Sequence, residues 1–508
     1  MNQAPTSGFF GHPVGLRTLF MTEMWERFSY YGLRPLLVLF MSAALMDGGF
    51  GFDRGQASAI VGIYGACVYL ASLPGGWVAD RLLGLRRAIL VGAMLITGGH
   101  LSIGVSGFAG QGTAGKAAFF AGLLLIVLGT GLLKPNISAI VGDLYPEGGA
   151  RRDAGFSIFY MGINIGAFIG QLVTGFLGEK VGWHLGFGAA GVGMLIGLIT
   201  FWHYAPRTLG DLGLDIVRDP DPDVQQRRES RVKAIVWGTL AIIAVVFALA
   251  ATGSITLDPQ SIASNMTYVL LAAVIAFFAF VQVAGGLNSD ERRQMLVILV
   301  LFLAAMIFWS AFEQQPTALN LFARDFTDRM VFGWEVPATW FQVINSFFIV
   351  LLAPVAAMVW IALGKSKRGD LSPPAKFAIG LAFAAVGFLV MFFAARQVGS
   401  AGGLLLVSPM WLVASYFFQT VGELCVSPVG LSSMTKLSPR KYLGQVMGIW
   451  FVASAIGNLI GGLVGGHVDP ENIQEMPKLF STTATSLLVA AVVLLLLVRP
   501  ISRMLQRS

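Results

Sequence analysis

Fourteen apolar stretches recur along this chain, many of them near the roughly 20 residues that an α-helix needs to cross a bilayer. They lie near residues 15–44, 57–80, 88–108, 117–141, 155–178, 184–204, 234–252, 267–287, 295–318, 337–363, 375–396, 408–435, 442–466 and 480–498. Lipid offers a peptide group no hydrogen-bond partner, so such segments must satisfy their backbone internally, as helices. A transmembrane barrel would show short alternating segments instead. Of 508 residues, 56% are hydrophobic and only 12% charged, against about 25% charged in a soluble domain. The expected class is an all-α polytopic membrane protein. The two cysteines, Cys67 and Cys425, fall inside spans and read as small apolar packing residues with no disulfide. The N-terminus has no basic n-region and no cleavage site, so the first span is expected to be retained.

The longest stretch without a span, residues 205–233, is a charged, Pro-containing linker after the sixth span. With the N-terminus cytoplasmic, most Lys and Arg fall in inward loops and the C-terminal tail. Arg81, Arg86 and Arg87 follow the second span, and Lys365, Lys367, Arg368 and Lys376 follow the tenth. This asymmetry obeys the positive-inside rule with both ends inside. It also accounts for the net charge of +7 without nucleic acid.

The seventh and eighth spans carry no charge and read as lipid-facing accessories. Removing them leaves two six-helix halves. The fifth span of one half has Gly162, Gly166 and Gly170; the fifth of the other has Gly457, Gly461 and Gly465. Small residues four apart let helix backbones approach closely, and a matched feature in matched positions suggests an internal repeat. The bland alternative is that glycine is common in membrane helices. Between the second and third spans, GGWVADRLLGLRR resembles the loop signature of major facilitator transporters, through Gly76, Asp80, Arg81, Gly84, Arg86 and Arg87. The expected organisation is a six-helix bundle over 1–206, a linker with two inserted helices over 207–292, and a second six-helix bundle over 293–508.

The first span holds EMWERFSYYGLRPLLVLF, residues 23–40. A charged side chain inside a bilayer costs at least roughly 2.5–3.5 kcal/mol. At 3.6 residues per turn, Glu23, Arg27, Tyr30 and Arg34 share one stripe about 16 Å long, flanked by Glu26 and Tyr31. That face must line protein or water. Glu23 and Arg27 are spaced to pair on the helix. A purely structural ion cluster leaves the tyrosine pair and Arg34 unexplained, so the stripe reads as functional.

With charges at the span ends set aside, such as Arg17 at the cytoplasmic mouth, seven remain within the membrane: Glu23, Glu26, Arg27, Arg34, Lys134, Glu313 and Glu423. Depth along the helices suggests two gate pairs, Arg34 with Glu313 toward the outside and Lys134 with Glu423 toward the inside. A substrate bearing both a carboxylate and an ammonium group could also bridge them. Four carboxylates face three cations, and a buried carboxylate lacking a fixed partner can take up a proton. His100 stands alone on the third span and reads as packing or a local hydrogen bond.

Glu23, Glu26, Arg27, Phe28, Tyr30, Tyr31 and Gly32 match ExxERFxYYG, the signature of proton-dependent oligopeptide transporters. FYMGINIGAF at 159–168 is similar to a second signature of that family, with Ala167 where Ser is usual; GLLKPNISAIVGDLY, FWSAFEQQ and GELCVSPVGLSSM also resemble family segments. The resemblance covers nearly the whole chain, and bacterial members share the two extra helices. It implies a major facilitator fold of two six-helix bundles plus two inserted helices, and uptake of di- and tripeptides by alternating access. It further implies a proton as coupling ion with no other cofactor, in the bacterial cytoplasmic membrane; a monomer is the expectation for a chain of this kind.

Residue by residue, the resemblance implies proton coupling by Glu23, Glu26, Arg27 and Glu313. It implies peptide contacts from Tyr30, Tyr31, Arg34 and Lys134, with the cations toward the carboxyl end, and from Tyr69, with Tyr64 as a nearby alternative. Asn164, Asn345 and Glu423 correspond to the amino-terminus pocket, and Trp309, Trp450 and Ser454 to side-chain pockets. Interfacial anchoring is the alternative for the tryptophans. Animal members use a histidine near the second helix; none stands here, which favours carboxylates.

A membrane enzyme or redox subunit would need haem or metal ligands, or a nucleophile with a base. The five histidines show no helical ligand spacing, and no cysteine cluster exists. The nearer rival is a carrier of nitrate or another small organic anion on the same fold, which would have less use for Glu423.

Overall fold

The structure is a computed structural model, and it describes residues 8–216, 218–365 and 371–506. Lys367 and Arg368, counted above among the inward cations, lie outside the described residues. Fourteen long helices are present among those described. They are α1 Val14–Ser42, α2 Arg54–Leu83, α3 Leu85–Ser106, α4 Thr113–Asp143, α5 Arg151–Val181, α6 Trp183–Thr208 and α7 Pro222–Ala251. They continue as α8 Pro259–Ala284, α9 Ser289–Phe326, α10 Ala338–Leu363, α11 Pro373–Ser400, α12 Met410–Leu437, α13 Arg440–Gly465 and α14 Glu475–Met504. Each overlaps one of the fourteen apolar stretches. Thirteen are long and apolar enough to cross a membrane; α1 is the exception, because of its charged stripe. Both cysteines are free thiols.

Local chemistry sets several ends. Asp221 caps α7 by accepting from the Asp223 amide, with Pro222 at the first position. Asn288 and Glu291 form a reciprocal capping box at the start of α9. The turn between α2 and α3 needs Gly84, which has φ +77. The linker docks on that turn: the Arg86 amide donates to the Gly213 carbonyl at 2.8 Å and its guanidinium to the Gly210 carbonyl at 2.6 Å. A Cβ on Gly84 would lie 2.7 Å from the Leu214 carbonyl. The loop motif therefore anchors the start of the linker.

The chain divides into two compact units, and the division does not follow the linear one. The first unit comprises the described residues of 1–36, 43–51 and 67–258; the second comprises those of 37–42, 52–66 and 259–508. The C-terminal end of α1 and the N-terminal half of α2 thus cluster with the second unit, and α7 with the first.

Within the first unit, α5 packs on α1 through its glycine stripe. Gly162 meets Phe20, Gly166 meets Met24 and Arg27, and Gly170 meets Phe28. Along the same seam the Thr174 hydroxyl lies between two carbonyls, 2.8 Å from that of Gly170 and 2.9 Å from that of Gly32. Within the second unit, α13 packs on α9 the same way: Gly457 meets Trp309, Gly461 meets Glu313, and Gly465 meets Thr317. In both units the fifth helix of a six-helix set lies on the first, which is the repeat that the spacing suggested. A Cβ on Gly461 would sit 2.9 Å from the Glu313 carbonyl group, inside van der Waals contact.

The inserted pair behaves as lipid-facing. None of the apolar window of α7 is buried, and only 22% of that of α8. At its C-terminal end α8 is tied to α13, because the Gly285 carbonyl accepts from both Lys441 Nζ and the Tyr442 hydroxyl at 2.9 Å. His100 is buried on α3, and among the described residues neither ring nitrogen meets a hydrogen-bond partner. Of the two readings offered for it, packing is the one that fits.

Candidate functional sites

In the first unit the stripe on α1 is built as the periodicity requires. Glu23, Glu26 and Arg27 are 2%, 0% and 3% exposed. Arg27 Nε lies 2.9 Å from Glu23 Oε1 and 2.5 Å from Glu26 Oε2. One guanidinium thus serves two carboxylates, and this triad carries one negative charge more than positive when all three are ionised. Taking up one proton neutralises it. The close seat of Gly166 on Met24 and Arg27 holds this part of α1 against α5.

One turn further, the Arg27 guanidinium lies over the Tyr30 ring, 5.5 Å from its centroid. Tyr30 and Tyr31 meet edge to face at 5.1 Å. Arg34 is buried, and Pro35 directly after it cannot donate to the helical ladder.

Lys134 on α4 sits with Nζ 4.4 Å from the centroid of the Tyr69 ring, a cation–π contact. The crossing of α2 and α4 explains it. Gly75 and Gly131 face each other so closely that neither has room for a Cβ, and Gly131 also lies against Ala71. That contact brings the turn before it on α2, with Tyr69, beside the turn after it on α4, with Lys134. Of the two tyrosine candidates, Tyr69 meets the lysine within this unit, whereas Tyr64 is buried in the second unit. Asn164 donates to the Tyr160 carbonyl on its own helix at 3.0 Å.

In the second unit Glu313 ends the regular part of α9 and is buried. Gln315–Leu319 then form a wide turn opened by Pro316, and the helix resumes over Asn320–Phe326. Buried amides knit this break. Gln314 donates to the Ser310 carbonyl and to Thr483 at 3.2 Å, and Gln315 to Gln419 at 3.2 Å. On α10 and α12, Asn345 Nδ2 donates to Glu423 Oε2 at 3.2 Å and to Thr420 Oγ1 at 3.0 Å. Trp309, Trp450 and Ser454 are buried, and the Trp450 ring lies against Gly430 of α12 where no Cβ would fit. Burial inside the bundle argues against interfacial anchoring for both tryptophans.

The structure thus joins Glu23, Glu26 and Arg27, then Arg27 with Tyr30 and Tyr31, then Lys134 with Tyr69, and Asn345 with Glu423. Arg34 and Lys134 belong to the first unit, Glu313 and Glu423 to the second. One cluster escaped the sequence reading. Arg54 at the start of α2 pairs with Asp325 near the end of α9 at 2.5 Å, donates to the Val468 carbonyl at 3.0 Å, and lies 3.7 Å from Asp469. Arg324 holds the other side of Asp325 at 2.8 Å and reaches Ser42 of α1 at 3.3 Å. Beside this cluster Gly55, Ser58 and Gly62 of α2 pack against Gly462, Gly465 and Gly466, none of which has space for a Cβ. A charged loop residue reads as solvated; the signal that could have found it is a run of small residues immediately after an arginine.

Comparison with known proteins agrees with this architecture. The model of the POT family matches residues 86–479. The peptide transporter YePEPT of Yersinia enterocolitica is 48% identical over 98% of this chain and 96% of its own length. The di-/tripeptide transporter of Lactococcus lactis subsp. cremoris is 36% identical over 98% of this chain and 97% of its own. A crystal structure of the peptide transporter POT in complex with sulfate superposes with a TM-score of 0.89 at 41% identity, covering 99% of this chain and 98% of that one. With a family model across most of its length and relatives matched nearly end to end, this chain belongs to the POT family and is a multi-pass helical membrane protein of the major facilitator fold.

Proposed function

We propose that this chain imports di- and tripeptides together with protons by alternating access, as a monomer in the bacterial cytoplasmic membrane with both termini inside. The observation that carries the reading is the division of charge between the units. Arg34 and Lys134 offer cations in one, beside tyrosines, and Glu313 and Glu423 offer carboxylates in the other. A zwitterionic peptide uses both signs: its carboxylate goes to Arg34 and Lys134, and its ammonium group to Glu423 with Asn345 and Asn164. Trp309, Trp450 and Ser454 line side-chain pockets, and Tyr30, Tyr31 and Tyr69 contact the peptide. The names of the relatives support peptides as the substrate class.

Proton coupling falls to the triad of Glu23, Glu26 and Arg27 with Glu313. The triad has one carboxylate more than its guanidinium can neutralise, in a site closed to water. Protonation therefore changes its charge from minus one to zero and frees Arg27 from one partner. No metal or organic cofactor enters the scheme. The pairs Arg34–Glu313 and Lys134–Glu423 serve as gates. With both termini inside, the C-terminal end of α1 and the start of α2 face outward, and their seat on α9 and α13 through Arg54 and the small residues is an outer closure.

The test is uptake of labelled dialanine into proteoliposomes with and without an inward proton gradient. Accumulation above the external concentration only with the gradient is expected. Gradient-driven uptake of nitrate in place of dialanine, with no inhibition by dipeptides, would support the anion carrier instead.

A further inference from the structure

Asn345 on α10 faces two residues of α12, Thr420 and Glu423, and the chemistry of Thr420 fixes which way its amide points. The Thr420 hydroxyl lies 2.7 Å from the Tyr416 carbonyl, one turn earlier on the same helix. A carbonyl can only accept, so the single hydroxyl proton goes there. Toward Asn345 the Thr420 oxygen is then left as an acceptor, and the atom it meets at 3.0 Å must be the amide nitrogen. The second hydrogen of that nitrogen goes to Glu423 Oε2 at 3.2 Å. Amide orientation is ordinarily an assignment between two nearly identical shapes; here the neighbouring hydroxyl removes the choice.

Two consequences follow. Glu423 is met by an N–H, the partner that a carboxylate accepts from. Asn345 Oδ1 is turned away from both of these acceptors, and among the described residues no hydrogen-bond donor reaches it or Glu423 Oε1. One neutral and one charged oxygen are therefore left for an ammonium group. If the amide rotated, it would present an oxygen to the Glu423 carboxylate and a donor to the ammonium, and both contacts would be repulsive.

We propose that Thr420 is a positioning residue for recognition of the peptide amino terminus, acting by holding the Asn345 amide in the orientation that lets Asn345 and Glu423 accept together. The proposal rests on the reading that Glu423 takes the ammonium group. A purely structural role, in which the hydroxyl only satisfies the Tyr416 carbonyl, predicts no selectivity between substrates.

The experiment is competition against labelled dialanine uptake in proteoliposomes, by free dialanine and by N-acetyl-dialanine. The wild type should need about tenfold or more of the acetylated competitor. Thr420→Val keeps the shape and removes the hydroxyl. It should weaken free dialanine by about two- to tenfold, the worth of one ordinary hydrogen bond, and leave N-acetyl-dialanine unchanged, so the ratio contracts. Thr420→Ala makes the same comparison without a second methyl group at the site, should the valine variant fold poorly. Thr420→Ser should restore the wild-type ratio. Equal weakening of both competitors, or an unchanged ratio in the valine and alanine variants, overturns the proposal. A wild type that does not distinguish the two competitors overturns the ammonium reading of Glu423, and the role of Thr420 with it.

Discussion

Replacing Arg54 with alanine should release the start of α2 from its seat. The structure gives the size of the effect. Arg54 makes a charged contact to Asp325 at 2.5 Å and a hydrogen bond to the Val468 carbonyl at 3.0 Å, with side chains 17% and 16% exposed across the ion pair. A hydrogen bond to a charged group contributes about 1.5–3 kcal/mol. Two features reduce that figure. The site is partly open to solvent, and Arg324 still neutralises Asp325 from its other side at 2.8 Å. About 1–2 kcal/mol remains, which raises the unseated population about 5- to 30-fold. The small-residue contact of Gly55, Ser58 and Gly62 persists, so the end should open more often without detaching permanently. Ser58 is fully buried in that contact, which makes Ser58→Cys a reporter once Cys67 and Cys425 are replaced. Its labelling by an impermeant thiol reagent tracks the open population when opening is fast. The Arg54→Ala rate should rise about 5- to 30-fold, and Arg54→Lys should fall between. An unchanged labelling rate would refute the idea that this cluster holds α2 closed.

Three further expectations concern the triad, the gate and the seam. Glu23→Gln and Glu26→Gln should each abolish gradient-driven dialanine accumulation while peptide exchange persists, because each removes the surplus carboxylate; full accumulation in both variants would remove the triad from coupling. Arg34→Glu with Glu313→Arg should recover uptake relative to either single change if the two residues act as a pair, since coupled residues are not additive; a double variant no better than the worse single one would separate them. Gly461→Leu should lower thermal stability measurably more than Gly444→Leu, because a side chain at Gly461 meets the Glu313 backbone while Gly444 has open space; equal melting temperatures would mean that the α9–α13 seam is not close-packed.

Much of this architecture could be read along the chain because its causes are periodic. Span length follows from bilayer thickness, and the α1 stripe from 3.6 residues per turn. The paired glycine stripes follow from the need of two backbones to touch, and they lie on α1 and α9 as a repeat requires. What escaped depends on contacts between distant segments. That the end of α1 and the start of α2 cluster with the second unit is set by Gly62 against Gly462 and by Arg54 against Asp325, and neither pair is near in sequence. Arg54 was hidden by its place in a short polar loop, where charge needs no explanation. The Asn345 amide is oriented by two acceptors on another helix, Glu423 and a Thr420 hydroxyl whose proton is already committed to the Tyr416 carbonyl.

The central claim is that peptide and proton move together. It is tested most directly by trapping a pH-sensitive dye inside proteoliposomes, imposing a negative interior potential with no pH gradient, and adding peptide outside. Dialanine should acidify the interior, and Glu23→Gln protein should show no dialanine-dependent acidification. Entry of labelled dialanine at the wild-type rate with no change in internal pH would contradict the account.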